Sequence, residues 1–196
     1  GSDLNYYRIN LRQKFYQPLG GDFVFGFNGE IGYLSTFGDT KETPFFQNFY
    51  AGGPRSLRGF ESNTLGPRST EAPCYEFNYA EGSCPNLIDT DGDLIPDAPY
   101  LNPYANSEYN KRVSIGGNVK IEGSFQLIFR LPFIEDQRSM RSALFFDFGN
   151  VFSDNCKEYQ FNCYKPSIDD LRYSYGVGVT FVTGFGPMSF AIAKPT

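Results

Sequence analysis

Asp89, Asp91 and Asp93 are the residues of this sequence best spaced to bind a metal ion. They alternate with a threonine and a glycine, and Asp97 follows four residues later. Carboxylates at positions i, i+2 and i+4 with a glycine in the turn are the ligand pattern of calcium loops. The twelfth position holds Tyr100 instead of a bidentate Glu, so two interpretations stand: a calcium site, or an acidic loop exposed to solvent.

The four cysteines form two local pairs, Cys74 with Cys84 and Cys156 with Cys163. Neither pair has CxxC spacing, and the sequence has no His that could complete a zinc site. One interpretation is two short-range disulfides in an oxidising compartment, and the other is four free thiols. We expect the disulfides, because exposed free thiols in loops are a liability.

The tetrapeptide Leu57-Arg58-Gly59-Phe60 combines an anchor, a charge and a turn residue. The guanidinium of an arginine offers five donors in a rigid fork, which suits a fixed carboxylate or carbonyl partner. Gly59 permits a tight backbone turn, and Phe60 can hold the segment by burial. No catalytic set accompanies it, since a chain without His has no Ser-His-Asp or Cys-His pair. We therefore expect a protein that is not an enzyme and that requires no cofactor.

The composition excludes several other classes of protein. Lys and Arg number 17 against 22 Asp and Glu, which gives a net charge of −5 and argues against a nucleic-acid partner. No stretch approaches the roughly 18 apolar residues of a membrane helix, and the mean hydropathy is −0.38. With 21 Phe, 14 Tyr and 21 Gly, the chain is too aromatic to be disordered and is typical of an all-β fold.

Strict alternation of apolar with small or polar residues predicts the elements that must position these groups. We predict strands from Tyr6 to Tyr16, Phe23 to Tyr33, Asn118 to Leu131, Arg141 to Phe152, Leu171 to Thr183 and Met188 to Ala193. Several are about 10 residues long, which matches a strand that crosses a bilayer. No helix of consequence is predicted.

The connections between these strands alternate in length. Short turns at 17–22, 132–138 and 184–187 contrast with long links at 39–117 and 153–170. This asymmetry is typical of a transmembrane β-barrel, and the alternative is a soluble β-sandwich. Six strands would leave two open edges, which lipid does not tolerate, so we expect part of a larger barrel. Gly1-Ser2 has the look of a cloning scar and favours the same interpretation.

Five ordered segments carry a resemblance to a known family: Phe49–Gly53, Leu57–Phe60, Leu65–Pro67, Gly116–Asn118 and Phe146–Phe152. Together they resemble the loop-six region of the Omp85 superfamily, most closely its outer-membrane barrel-assembly factors of Gram-negative bacteria. The resemblance covers essentially all of residues 1–196. It implies an all-β, antiparallel up-and-down sheet of about six strands from a 16-stranded transmembrane β-barrel, with one very long extracellular loop at 39–117 and no POTRA domains in this chain.

The resemblance also implies a set of contacts for the tetrapeptide. The loop would fold into the lumen, where Arg58 would contact inward residues of neighbouring strands. Asp147 matches the acidic partner of the family, whereas Gln126 stands where the family has a Glu, and Glu122 lies on the same face nearby. We expect these three residues to be the lumen partners of Arg58; the alternative is an Arg58 exposed to solvent in the loop. The pair Cys74 and Cys84 resembles a disulfide at a similar place in some relatives.

The function implied is the folding and insertion of β-barrel proteins into the outer membrane. The implied partners are outer-membrane lipids, nascent outer-membrane proteins and accessory lipoproteins, the last two for the full-length parent. We expect this chain to carry the loop and its lumen contacts but not the lateral gate, and its open sheet edges to favour self-association. Two alternatives stay open: a two-partner secretion exporter of the same superfamily, and a soluble calcium-binding β-sandwich module.

Overall fold

Alternating sequence produces six long strands, which we number β1 to β6. The computed structural model describes residues 4–68, 114–131, 140–156 and 163–196. The strands are β1 Tyr6–Gly20, β2 Phe23–Thr36, β3 Val119–Phe129, β4 Met140–Phe152, β5 Arg172–Thr183 and β6 Gly186–Pro195. They are between 10 and 15 residues long, well above the usual length of about 5–6 in soluble proteins.

The strands form one sheet in which each pairs with its neighbour in sequence. The order is β1-β2-β3-β4-β5-β6, and all five pairings are antiparallel. The predicted up-and-down sheet is therefore confirmed. The β-sandwich alternative is wrong for the described strands, because a sandwich needs two sheets packed face to face. Closure into a 16-stranded barrel stays a prediction.

Two of the short connections are tighter than predicted. Strand β1 continues to Gly20 and leaves a turn of Gly21 and Asp22, where the sequence predicted a turn over 17–22. Proline is tolerated at position 18 because β1 is at an edge of the described sheet, and the register shifts between Pro18 and Gly20. The last turn is reduced in the same way to Gly184 and Phe185.

The two faces of the sheet have opposite chemistry. We call the face that bears Asp147 and Glu122 the loop face, because the segment 44–68 packs on it, and the other the apolar face. Phe125 of the apolar face lies at the centre of a row of aromatic contacts that crosses four strands. The rings in this row belong to Phe25, Phe27, Phe125, Phe148, Phe146 and Tyr173.

The buried core lies on the loop face, between the sheet and the segment 44–68. Its members come from β2, from β4 and from the segment itself, and they are Leu34, Phe49, Ala51, Leu57, Leu65 and Val151. The segment contains one short 3₁₀ helix, Phe45–Gln47. No helix in the described part of the chain is long and apolar enough to cross a membrane.

Candidate functional site

A compact turn presents the tetrapeptide to the sheet. The N–H of Gly53 donates to the carbonyl of Leu57 at 3.1 Å, and Ser56 donates back to Gly53 at 3.1 Å. Leu57 is fully buried in the core, so it holds the turn against the sheet. Gly59 has a φ of +91°, a conformation that only glycine adopts without strain, and a Cβ there would lie 3.1 Å from the Cβ of Ala193.

Arg58 and Asp147 form a three-point contact. The carboxylate of Asp147 accepts hydrogen bonds from Nη2 at 2.6 Å, from Nε at 2.8 Å and from the backbone N–H of Arg58 at 3.1 Å. The side chain of Asp147 is fully buried and that of Arg58 is 17% exposed. A buried carboxylate is costly without a partner, so this geometry ties the loop to β4 by charge as well as by hydrogen bonds.

Ser124, and not Gln126, supplies the other side-chain contact of the guanidinium. Arg58 Nη2 donates to Ser124 Oγ at 2.9 Å, and Gln126 Nε2 donates to the same hydroxyl at 3.2 Å. The register explains this correction, because Ser124 lies directly opposite Asp147 whereas Gln126 lies opposite Phe145. Gln126 is therefore one row away and reaches the site through Ser124.

Phe145 provides the platform on which the guanidinium lies. The Cζ atom of Arg58 is 3.5 Å from the centre of the Phe145 ring, which is a cation–π distance, and Phe145 is only 4% exposed. Gly176 faces Phe145 across the β4–β5 pair, and a Cβ there would come within 2.7 Å of the ring. The absence of a side chain at Gly176 therefore makes room for the platform.

Glu122 lies beside the loop but is joined to Ser56 and not to Arg58. Its Oε2 atom accepts a hydrogen bond from Ser56 Oγ at 2.5 Å, and its Oε1 atom is 3.1 Å from Lys120 Nζ. In the register, Glu122 is opposite Gly149, two residues beyond Asp147. This distance along the strand corrects the prediction that Glu122 is a partner of Arg58.

The other segments that carried the resemblance pack around the same turn. A Cβ at Gly66 would lie 2.8 Å from the Cβ of Val151, so the loop approaches β4 closely at this glycine. Phe49 and Gly117 exchange both backbone hydrogen bonds, at 2.8 and 3.0 Å. Asn118 donates to the carbonyl of Leu34 at 3.1 Å. The ordered motifs of the sequence thus converge on one anchored loop.

Two further predicted groups fall partly or wholly outside the described residues. Cys156 and Cys163 form a disulfide, as predicted. Cys74 and Cys84 lie outside the described residues, and so do the four predicted calcium ligands Asp89, Asp91, Asp93 and Asp97. Within the ranges that are described, no three His, Cys, Asp or Glu side chains gather as a metal site would require.

Sequence reasoning missed three residues of this site: Ser124, Phe145 and Gly176. The available signal was weak. Phe145 is an aromatic residue on a polar face two positions before Asp147, and Gly176 is one of two glycines on the corresponding face of β5. Pairing them requires the register, which alternation alone does not provide.

The sequence that folds into this arrangement also matches a model of a known protein family. The Omp85 superfamily domain matches residues 1–196, the whole chain. The chain belongs to the Omp85 superfamily.

Individual relatives agree with this membership. Over 211 aligned residues the chain is 33% identical to the outer membrane protein assembly factor BamA of Neisseria meningitidis, and this alignment covers all of the chain and 22% of that protein. It is 25% identical to the sorting and assembly machinery component 50 homolog of Mus musculus, over 94% of the chain and 31% of that protein.

A solved structure agrees as well. The crystal structure of BamA from Haemophilus ducreyi lacking POTRA domains 1–3 matches with a TM-score of 0.68 and 29% identity, over all of the chain and 32% of that structure. The chain thus spans between a fifth and a third of the length of the relatives it matches. Like the BamA proteins of this superfamily, it is an outer-membrane protein of a Gram-negative bacterium.

Proposed function

We propose that this chain is part of an outer-membrane assembly factor that folds and inserts β-barrel proteins, and that its task is to hold the loop of Leu57–Phe60 against the inner wall of the barrel. The loop face would then be the lumen and the apolar face would contact lipid. Nascent outer-membrane proteins and accessory lipoproteins would be partners of the full-length protein. The proposal needs no catalytic residue and no cofactor.

The single observation that carries this proposal is the contact of Arg58 with Asp147. Three hydrogen bonds, a buried carboxylate and a stacked ring hold one side chain in one geometry. So many constraints on an arginine of a connecting loop are costly to assemble, because the ordered side chain loses rotamer freedom. A fixed loop position inside the barrel accounts for that cost, and the likeness to a BamA protein of 33% identity supports an assembly role.

Replacement of Arg58 in the full-length protein tests the proposal. The Arg58→Ala variant, reconstituted in liposomes, should fold an added outer-membrane barrel roughly tenfold more slowly, since the loss of one charge-assisted hydrogen bond already corresponds to about that factor. The rate of the Arg58→Lys variant should lie between those of the unchanged protein and Arg58→Ala, because an ammonium keeps the charge but cannot reproduce the planar fork. The heat-dependent shift in gel mobility of the folded substrate measures the rate.

Arg130 offers a matched control. It also pairs with an aspartate, Asp22 at 3.4 Å, but the two side chains are 58% and 60% exposed, so Arg130→Ala should leave the rate unchanged. A well-folded Arg58→Ala protein that assembles substrate at the normal rate would contradict the proposal. Export of a secreted partner without barrel assembly would favour the exporter of the same superfamily.

A further inference from the structure

The loop meets the sheet at a second polar point that does not involve Arg58. Ser56 Oγ donates to Glu122 Oε2 at 2.5 Å and accepts the N–H of Gly52 at 3.1 Å. One hydroxyl therefore connects the start of the turn to a carboxylate of β3. Asp147, which holds Arg58, is on β4, so the two contacts reach different strands.

A buried cation lies beside the carboxylate of Glu122. The side chain of Glu122 is 13% exposed, and Lys120 Nζ lies 3.1 Å from it while itself only 10% exposed. The same ammonium is 3.5 Å from Glu30 Oε2. Glu30 and Glu122 are direct register partners across the β2–β3 pair, an arrangement in which like charges repel. Lys120 lies between them and offsets both.

Glu30 is held in turn from β1. Its Oε1 atom accepts hydrogen bonds from Asn10 Nδ2 at 2.9 Å and from Arg12 Nη2 at 3.2 Å. Charges of alternating sign therefore run from Arg12 through Glu30 and Lys120 to Glu122. We call these four residues the charge row; it crosses three strands and ends at the hydroxyl of Ser56.

We propose that Ser56 is a second anchoring residue of the loop and that Lys120 is the positioning residue that makes this anchor work. Without Lys120, two opposed carboxylates would face each other beneath the turn, and Glu122 would move away from Ser56. The Asp147 contact fixes the tip of the turn at Arg58, and the Glu122 contact fixes its base at Gly52. The functional weight of this anchor rests on the proposed function, in which the position of the loop matters.

Hydrogen exchange of the full-length protein in detergent micelles separates the two anchors, because each holds a different backbone amide. The N–H of Gly52 bonds to Ser56, and the N–H of Arg58 bonds to Asp147. Ser56→Ala should raise the exchange rate of the Gly52 amide roughly tenfold and leave the Arg58 amide unchanged. Asp147→Ala, which removes the acceptor of the Arg58 amide, should do the reverse.

Variants of the charge row test the role of Lys120. Lys120→Met should also raise exchange at Gly52, whereas Lys120→Arg should not, since it keeps the charge. Adding Glu30→Gln to Lys120→Met should restore part of the protection, because one of the two opposed carboxylates is then neutral. Ser56→Thr keeps the hydroxyl and should keep Gly52 protected.

Several outcomes would overturn the proposal. One such outcome is a Gly52 amide that stays protected in Ser56→Ala. Another is an equal rise in the exchange rates of the Gly52 and Arg58 amides in that variant, which would mean one cooperative contact instead of two. Normal protection in Lys120→Met would remove the positioning role. If Lys120→Met does not fold, the Ser56 variants still decide the main point.

The rate of barrel assembly, measured on the same samples, keeps this inference apart from the proposed function. A Ser56→Ala protein with an exposed Gly52 amide and a normal assembly rate would support the second anchor and count against the importance of the loop position. A protected Gly52 amide would refute the second anchor whatever the assembly rate.

Discussion

Phe145 and Phe146 are neighbours in β4, yet the two faces of the sheet give them opposite roles. Phe145 is 4% exposed and lies under the guanidinium of Arg58. Phe146 is 41% exposed, and its ring stacks on Tyr173 at 5.8 Å and lies tilted against Phe148 at 6.5 Å. The ring of Phe145 is thus buried beneath a charge, and the ring of Phe146 is exposed on the apolar face.

This contrast reverses the arrangement of a soluble protein. Ion pairs and their hydrogen bonds lie on the loop face, which the segment 44–68 covers, and large exposed apolar side chains lie on the apolar face. In a sheet that crosses lipid this is the stable order, because hydrocarbon accepts apolar side chains and leaves polar groups to be satisfied by the protein itself. Protein packing should therefore matter much more on the loop face than on the apolar face.

The largest expected effect comes from truncating these two rings. Phe145→Ala should lower the free energy of unfolding by about 3–5 kcal/mol, since it leaves a cavity beneath a buried ion pair. Phe146→Ala should cost about 1 kcal/mol, the value of its aromatic contacts. Urea titration of the full-length protein in micelles measures both, and equal losses would show that the faces do not differ in packing.

Two glycines of β2 test the same contrast by addition. A Cβ at Gly32 would lie 2.5 Å from the ring of Phe49, which is buried and has the guanidinium of Arg8 over it. Gly32→Ala should therefore cost about 1–3 kcal/mol. Gly29 is on the apolar face, where a Cβ would meet the end of the Phe27 ring at 3.0 Å.

That ring can move outward, so Gly29→Ala should change the free energy of unfolding by less than about 0.5 kcal/mol. The same urea titration compares the two variants. A cost at Gly29 as large as the cost at Gly32 would mean that the apolar face is packed as rigidly as the loop face.

A comparably small effect is expected at the exposed end of the charge row. Arg12 is 68% exposed where it meets Glu30 at 3.2 Å, so Arg12→Gln should cost less than about 1 kcal/mol and this difference should vanish in high salt. Unfolding at low and high ionic strength measures it. A large, salt-independent loss would show that burial of the row extends to β1, beyond the part covered by the loop.

The sequence predicted the strands and their faces well because both depend on local chemistry. Alternation over ten or more residues assigns Phe25 and Gly26 to opposite faces of the sheet, and it does the same for Phe146 and Asp147. Strand ends were less predictable: Pro18 indicated a turn, yet it is part of β1 because a proline can lie in a strand at an edge. Asp147 was predicted beside Arg58 from a family pattern, and the structure places the two in contact.

The partners of the loop on β3 could not be predicted from alternation. Glu122, Ser124 and Gln126 lie on one face at intervals of two residues, and shifting the strand by two keeps every side chain on its face. Alternation therefore cannot decide which of the three lies opposite Asp147. Only the register does, and it assigns Ser124 to Arg58 and leaves Glu122 for Ser56.

The sequence by itself thus determined the six strands, the polarity of each face and the motifs of the Omp85 superfamily, since these depend on residue type and order. The tertiary structure alone decided which polar groups of β3 meet the loop. That choice depends on the register between β3 and β4 and on the packing of a loop whose residues Ser56 and Arg58 each lie 66 residues from their partners Glu122 and Ser124, and both are properties of the assembled sheet.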